Sequence, residues 1–524
     1  MEDKVDKLVS AMYKANEPGA AILIAKDGKP IYRKAFGKAN LELDAAMQPN
    51  NVFQIGSITK QFTAVAILML EEQGKLNIDD TITKYIPNYP TQGQNITIHH
   101  LLNHTSGIKS YTSMPTFRLK ARTDMTPETL INVFKNEPMD FAPGDEYRYN
   151  NSGYILLGYI IEKVSGQSYA EFIEQHIFKK LGMSASLYGS NKKLIKQRAS
   201  GYQKTGDTYV NANYISLTLP YAAGSLMSTV DDLLIWQNAI VTNTLISKES
   251  LNRAINGSTL NNGEKINYGY GWSKNQINGS TTYQHGGGIF GYTSMGIYLP
   301  EEKIFVSGLT NCNCKNISGL VTKIAAIAIN KPFPSVKDKI TLTETQKKRW
   351  TGAYQFNNNT IRHITLENGQ LYSQKEGQKK YEIFPMSEHT FIFWDGLTSL
   401  KFSLNNTKKQ LVLKSTHGKE IGKEINKPEP KAKKEIAVPV DILKKYIGKY
   451  QLAPNFIITI ELKNNQLFAQ ATAQPQFQIF AEDEDTFFLK VVEASIDFNK
   501  DDNGNLTSLT LHQSGQHMEG KKIE

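Results

Sequence analysis

FQIGSITKQFTA, residues 53–64, sets a short motif against the start of an apolar helix pattern. The pattern predicts a long amphipathic helix over residues 58–72, with Gly74 as its stop signal. Ser57 and Lys60 stand three residues apart at its start, so their side chains share one face. A helix N-terminus offers unpaired N–H groups and positive potential, which favour negative charge developing beside it. A serine hydroxyl is a poor nucleophile until a base takes its proton. A lysine can be that base if burial and neighbours depress its pKa. Alone, S-x-x-K fits equally well a serine N-cap followed by an ordinary lysine.

Two further stretches bear on that choice. Tyr147-Arg148-Tyr149-Asn150-Asn151 precedes a helix predicted over residues 154–165. Within it, Tyr149 and Asn151 form Y-x-N, a phenol that can shuttle protons and an amide that can hold a substrate carbonyl. Tyr147 lacks an asparagine two residues on. His285-Gly286-Gly287-Gly288 falls at a predicted strand end. Glycines there let a substrate backbone approach closely and let an N–H point into a site.

Around these motifs the chain alternates helices and strands up to about residue 333. A helix over residues 4–14 leads into AAILIAK and PIYRKAFG, two strand-like runs joined by Asp27-Gly28-Lys29 as a hairpin. Helices are predicted over residues 127–136, 169–181, 230–241 and 318–330. Strands are predicted over 268–272, 283–285, 293–298 and 304–310. A hairpin at the start and strands at the end argue for one antiparallel sheet between helices. From residue 334 a repeat appears at an offset of 96. Trp350-x-Gly352-x-Tyr354 matches Tyr446-x-Gly448-x-Tyr450, and LENGQLYSQ (366–374) matches LKNNQLFAQ (462–470). Two copies of a small antiparallel β-barrel are expected, hinged by the polar segment KPEPKAKKE at residues 427–435. The expected fold class is α+β, an antiparallel sheet flanked by helices plus an all-helical region, followed by two small antiparallel β-barrel domains. The expected domains are residues 1–333, 334–430 and 431–524.

In order and context, S-x-x-K, Y-x-N and the H-x-G strand resemble the β-lactamase and penicillin-binding-protein serine hydrolases. The likeness is carried by FQIGSITKQFTA, ITIHHLLNHTSGI, FAPGDEYRYNNSGYILLGYIIEKVSG and QHGGGIFGYTS, and it spans most of residues 5–333. It is nearest to the class C β-lactamase-like branch, which includes D-aminopeptidases, DD-peptidases and family VIII-type esterases. The resemblance implies Ser57 as acylated nucleophile, with Lys60 and Tyr149 sharing the acid–base work. It implies Asn151, His285 and Gly287 as substrate-binding residues, and an oxyanion hole from the N–H groups of Ser57 and Gly288. His104, within LLNHTSG, is implied to be structural. Carboxypeptidases and typical β-lactamases of the family usually carry lysine where this chain has His285. A histidine is mostly neutral near pH 7, so H-x-G points toward D-aminopeptidase-like and esterase-like members. A catalytic domain followed by two lipocalin-like barrels is also the D-aminopeptidase layout.

The expected function is hydrolysis of a small amide or ester through a Ser57 acyl-enzyme, with D-amino-acid peptides as one substrate class. Carboxylesterase and weak β-lactamase or DD-peptidase activity are the alternatives within the class. A non-hydrolytic penicillin- or cell-wall-peptide-binding protein is the alternative outside it, and barrels carrying a hydrophobic ligand are a third reading. The net charge of +10 is spread along the chain, residues 334–524 holding +4 of it. A nucleic-acid reading would need a basic patch, so none is expected. Cys312 and Cys314 stand without a Cys/His cluster, and a bridge across one residue would be strained, so two small thiols are expected. No cofactor and no metal are expected. No apolar run reaches membrane-spanning length, and MEDKVDKLV lacks the hydrophobic stretch of a leader. By analogy a periplasmic or secreted location is expected, otherwise a cytoplasmic one, with a homodimer as an open expectation.

Overall fold

The computed structural model of the chain describes residues 1–114, 116–405, 408–429, 434–453, 456–472, 474–501, 503–513 and 516–524. It forms two compact units, Met1–Phe333 and Pro334–Glu524.

The first unit is built on AAILIAK. This run becomes β1 (Ala20–Lys26), which hydrogen-bonds to β2 (Lys29–Phe36) through the Asp27-Gly28 turn, both residues at positive φ. Four later strands follow: β3 (Ser273–Ile277), β4 (Ser280–Ile289), β5 (Tyr292–Leu299) and β6 (Ile304–Thr310). They join in the order β3-β4-β5-β6-β1-β2, every pair antiparallel. Side chains alternate across a strand, and helices cover both faces. Ala20, Ile22 and Ile24 pack with α1 (Glu2–Met12) and a closing helix, Ile317–Ala328. Ala21, Leu23 and Ala25 face the larger core that holds α2 (Thr59–Glu72), α3 (Asn151–Ser165) and α4 (Val230–Val241). A strand covered on both faces is apolar along its buried length, as this one is from Ala20 to Ala25.

Three expectations change. Helix α2 is not amphipathic, because every residue from Thr59 to Leu70 is buried. Residues 268–272 are not a strand. Gly271 takes φ +83° and a Cβ there would sit 3.0 Å from Gln61, so the chain turns against α2 before β3 begins. Cys312 and Cys314 form a disulfide, since the chain bends at the end of β6 and brings their Cα atoms to 5.2 Å.

The second unit holds two closed antiparallel barrels of eight strands each, running from Gly352–Phe356 to Gly418–Ile425 and from Gly448–Ala453 to Gln516–Lys522. The repeated motif explains itself in them. Trp350 stacks on Phe402 and Tyr446 stacks on Phe498, each plugging its barrel. The Tyr354 hydroxyl donates to Trp350 O and the Tyr450 hydroxyl to Tyr446 O, both at 2.8 Å. Part of the expected hinge, residues 430–433, lies outside the described residues. Among the described residues no helix is long and apolar enough to cross a membrane.

One contact of the first unit has functional weight. The short helix Tyr221–Gly224 lies against α3 at Gly158, where a Cβ would stand 2.4 Å from Ala222 Cβ and 2.5 Å from the Tyr221 ring. Tyr221 itself is buried at φ +40°, so this turn has little freedom to move. Gly158→Ala is expected to lower stability by about 1–3 kcal/mol through overpacking, read as a lower urea midpoint from the fluorescence of Trp236 and Trp272. An unchanged midpoint would show that the contact gives way freely.

Candidate active site

The turn that presents Ser57 depends on two glycines. Gly56 takes φ +51°, and a Cβ there would lie 2.8 Å from Gly288 N. A Cβ on Gly287 would lie 2.0 Å from Ile55 O. The Gly56–Ile58 turn therefore nests against β4, whose edge toward β3 is unpaired beyond Gln284. Ser294 Oγ donates to Ile55 O at 2.8 Å and pins the turn from β5.

One helical turn on, Lys60 is fully buried, with Nζ 3.1 Å from Ser57 Oγ, 2.8 Å from Asn151 Oδ1 and 2.9 Å from Ala223 O. Among the described residues no carboxylate pairs with it, and burial holds its pKa well below the ordinary lysine value. The Ala223 carbonyl comes from the short helix at Gly158. Thr63, on the same face of α2, donates to Ala222 O at 2.7 Å and holds that helix from below.

Asn151 opens α3. The helix is capped by Asn150, whose side chain accepts from Gly153 N at 3.1 Å. Asn151 Nδ2 donates to Thr112 Oγ1 at 2.9 Å, and its backbone N–H donates to Ser110 Oγ at 3.2 Å. Just before the cap, Tyr149 lies with its ring centroid 4.8 Å from Lys60 Nζ. Although 37% of the residue meets solvent, desolvation dominates its surroundings and pushes the phenol pKa up, while a hydrogen bond to Ser57 pulls the other way.

The loop is held from behind by histidines. His104 is buried, with φ +64°; its Nδ1 accepts from Asn150 N at 3.1 Å, and its ring lies tilted against that of Tyr149, with centroids 4.3 Å apart. Its pKa is pushed well down, by burial first and the nearby Lys60 charge second. His285 is only 7% exposed. Its Nδ1 meets Gly286 O at 2.6 Å and its Nε2 meets the Tyr268 hydroxyl at 3.0 Å. Burial, then Lys60, pushes its pKa down to about 4, so the ring is neutral: Nδ1–H donates to the carbonyl and Nε2 accepts from Tyr268.

Ser57, Asn151 and Gly288 open onto a cavity of about 380 Å³, walled mainly by Tyr111, Phe117, Ile289 and Phe290. Lys60 lies beneath it. His285 lines a separate recess, with Gln61 and Trp236. The structure thus brings Ser57, Lys60, Tyr149, Asn151 and Gly288 together, while His285, its ring centroid 6.2 Å from that of Tyr149, lines a different recess. The sequence reading missed Thr112, the Ala223 carbonyl and Tyr268. Asn150 carried the only usable signal, a capping residue before an apolar run. Among the described residues no group of three or more His, Cys, Asp or Glu could hold a metal.

Known proteins resemble this chain. Residues 5–326 match the Beta-lactamase family, and residues 432–523 match a Domain of unknown function (DUF3471). A penicillin-binding protein of Bacillus subtilis (strain 168) is 32% identical over 407 residues, 73% of this chain and 89% of that protein. The octameric penicillin-binding protein homologue from Pyrococcus abyssi superposes with a TM-score of 0.57 at 28% identity, covering 80% of this chain and 98% of its own. A D-stereospecific amidohydrolase from Streptomyces sp. superposes with a TM-score of 0.55 at 26% identity, covering 62% of this chain and 98% of its own. The chain belongs to the Beta-lactamase family.

Proposed function

We propose that this chain is a serine hydrolase in which Ser57 Oγ attacks the carbonyl of a small amide or ester and neutral Lys60 takes the hydroxyl proton. The observation that carries this reading is the enclosed Lys60 amine, 3.1 Å from Ser57 Oγ with two carbonyl oxygens as its other neighbours. Those oxygens can only accept. A neutral amine therefore commits its two N–H groups to Asn151 Oδ1 and Ala223 O, and its lone pair faces Ser57. Burial without a carboxylate partner makes that neutral form accessible.

Tyr149, protonated near neutral pH, relays the proton to the leaving group and recovers it when water attacks the acyl-enzyme. The N–H groups of Ser57 and Gly288 receive the tetrahedral oxygen, each worth about 3 kcal/mol in such a role. Asn151 Nδ2 gives one N–H to Thr112 and keeps the second for the substrate carbonyl. Gly287 acts by having no side chain, and His285 positions β4 and Tyr268 without touching substrate.

Substrate class follows from charge. No Lys or Arg is among the described residues lining the cavity, and neutral His285 supplies no cation. A substrate carboxylate beside the scissile bond would be left without a partner. D-amino-acid amides and short esters are therefore favoured over acyl-D-Ala-D-Ala peptides, in line with the Streptomyces amidohydrolase likeness. The Bacillus relative's name supports a second reading, slow acylation by a β-lactam with little turnover.

The test sets a D-alanyl p-nitroanilide, a chromogenic acetate ester, nitrocefin and an acyl-D-Ala-D-Ala peptide before the wild type and Ser57→Ala. Amide and ester turnover is expected to fall about a thousandfold or more in the variant; equal rates would rule out the mechanism. Turnover confined to the acyl-D-Ala-D-Ala peptide would overturn the substrate class.

Lys60 gives two further expectations. The kcat/KM should fall as pH drops through the lowered Lys60 pKa, so the acid limb lies well below the ordinary lysine value of 10.5. A limb at that ordinary value removes Lys60 as base. For stability, the unfolded chain binds a proton in the window between the lowered and ordinary values that the folded chain does not. Stability therefore rises with pH across that window. Lys60→Met should abolish turnover, flatten this dependence and melt higher at pH 7; a lower melting temperature would show that the buried amine is stabilising.

A further inference from the structure

The two barrels repeat one scaffold, yet they differ at one mouth. On the strand Ile361–Glu367 the side chains of Arg362, Ile364 and Leu366 form one inward row, the latter two in the core of the first barrel. At the offset of 96 the second barrel has Ile458, Ile460 and Leu462, all packed in its core. An arginine thus stands where the copy has a buried isoleucine. The strand partner of Arg362 is Lys375, while the partner of Ile458 is Ala471. Two cations directly opposite each other repel and cost stability. The scaffold does not require them, because its other copy folds with Ile and Ala.

Both cations line a cavity of about 490 Å³ in the first barrel, an architecture wide enough for one small ligand. Arg362 Nη1 donates to Ser373 Oγ at 3.1 Å, and the guanidinium lies 5.8 Å from the Phe393 ring centroid. Among the described residues no carboxylate forms an ion pair with Arg362 or Lys375. Burial opposes the Arg362 charge, and Glu420 on the same wall favours it from a distance; Asp395, the other carboxylate lining the cavity, accepts from Leu397 N at 3.0 Å. Among the described residues most of the guanidinium fork has no acceptor, in a geometry that suits a carboxylate. At the rim, Trp394 is 67% exposed and Tyr381 is 46% exposed, an unusual outlay of aromatic surface to water. The copy has Lys490 in place of Trp394, and there it pairs with Glu435.

We propose that the first barrel binds a small amphipathic carboxylate, its head bridging Arg362 and Lys375 and its apolar tail lying against Phe393, Tyr381 and Trp394. The site is independent of Ser57 chemistry.

The full chain is titrated by calorimetry with dodecanoate and with 2-naphthylacetate, one acid for each kind of tail, and with the corresponding alcohols. At least one acid should bind saturably at one equivalent and shift tryptophan fluorescence, a shift lost in Trp394→Lys. Arg362→Ile and Lys375→Ala each place at that position the residue the second barrel carries there, so both should fold. Each should weaken binding by about tenfold or more and leave ester hydrolysis at the wild-type rate. The alcohols should bind about tenfold more weakly than the acids or worse. Failure of both acids to saturate, equal binding of acid and alcohol, or wild-type affinity in both variants would each overturn the proposal.

Discussion

An amine with no counter-ion among the described residues, enclosed by a serine hydroxyl and two carbonyl oxygens, is the constraint around which the first unit is arranged. A cation in such a place is costly unless it loses its proton or gains a partner. Helix α2 is buried on all sides, so Lys60 cannot reach water. The short helix that supplies Ala223 O is held by Thr63 below and admitted by Gly158 beside it. Asn151 is fixed by the cap of α3 and by Thr112. Three separate segments of chain thus fix one nitrogen, and the nitrogen in turn is aimed at Ser57.

The electrostatics of the neighbourhood reinforce this. Lys60, His104 and His285 are all buried, and each histidine is pushed further toward neutrality by the lysine. A proton on any one of the three would raise the cost of a proton on the others. Burial thus favours the neutral form of each of the three, and the coupling between them adds to that preference. The histidine of H-x-G belongs to this buried group. Its ring turns inward beneath Tyr268, with both nitrogens engaged, and the cavity above keeps apolar walls.

Much of this was legible in the sequence. AAILIAK and its Asp27-Gly28 turn announced a hairpin, and the later strands announced the sheet it completes. Ser57, Lys60, Tyr149 and Asn151 were readable because each contributes a side chain at a characteristic spacing. The Ala223 carbonyl was not, since any residue supplies a carbonyl and only tertiary packing decides which one arrives. Tyr268 was hidden inside an apparent strand, because the left-handed turn at Gly271 is settled by contact with α2 and not by local preference. Helix α2 was read as one-sided because its few polar residues were assumed to face water, whereas Lys60, Thr63 and Gln61 are polar and buried for specific partners. The cysteine pair was judged by spacing alone, while the bend after β6 set the distance.

The barrels carry their own internal comparison. What both copies retain is what closes the scaffold: an aromatic plug at Trp350 or Tyr446, a tyrosine hydroxyl returned to its backbone, and a glycine at positive φ between them, Gly352 or Gly448. Residues retained for folding have no reason to differ between copies with the same strand order. Residues that differ inside an otherwise repeated core need another reason, and the Arg362–Lys375 pair is such a case. Replacing a packed Ile–Ala contact with two facing cations sets like charges against each other, and the Ser373 hydrogen bond and Phe393 contact that Arg362 gains leave most of its fork unused. A feature that costs stability and serves no packing role is best accounted for by what it can hold.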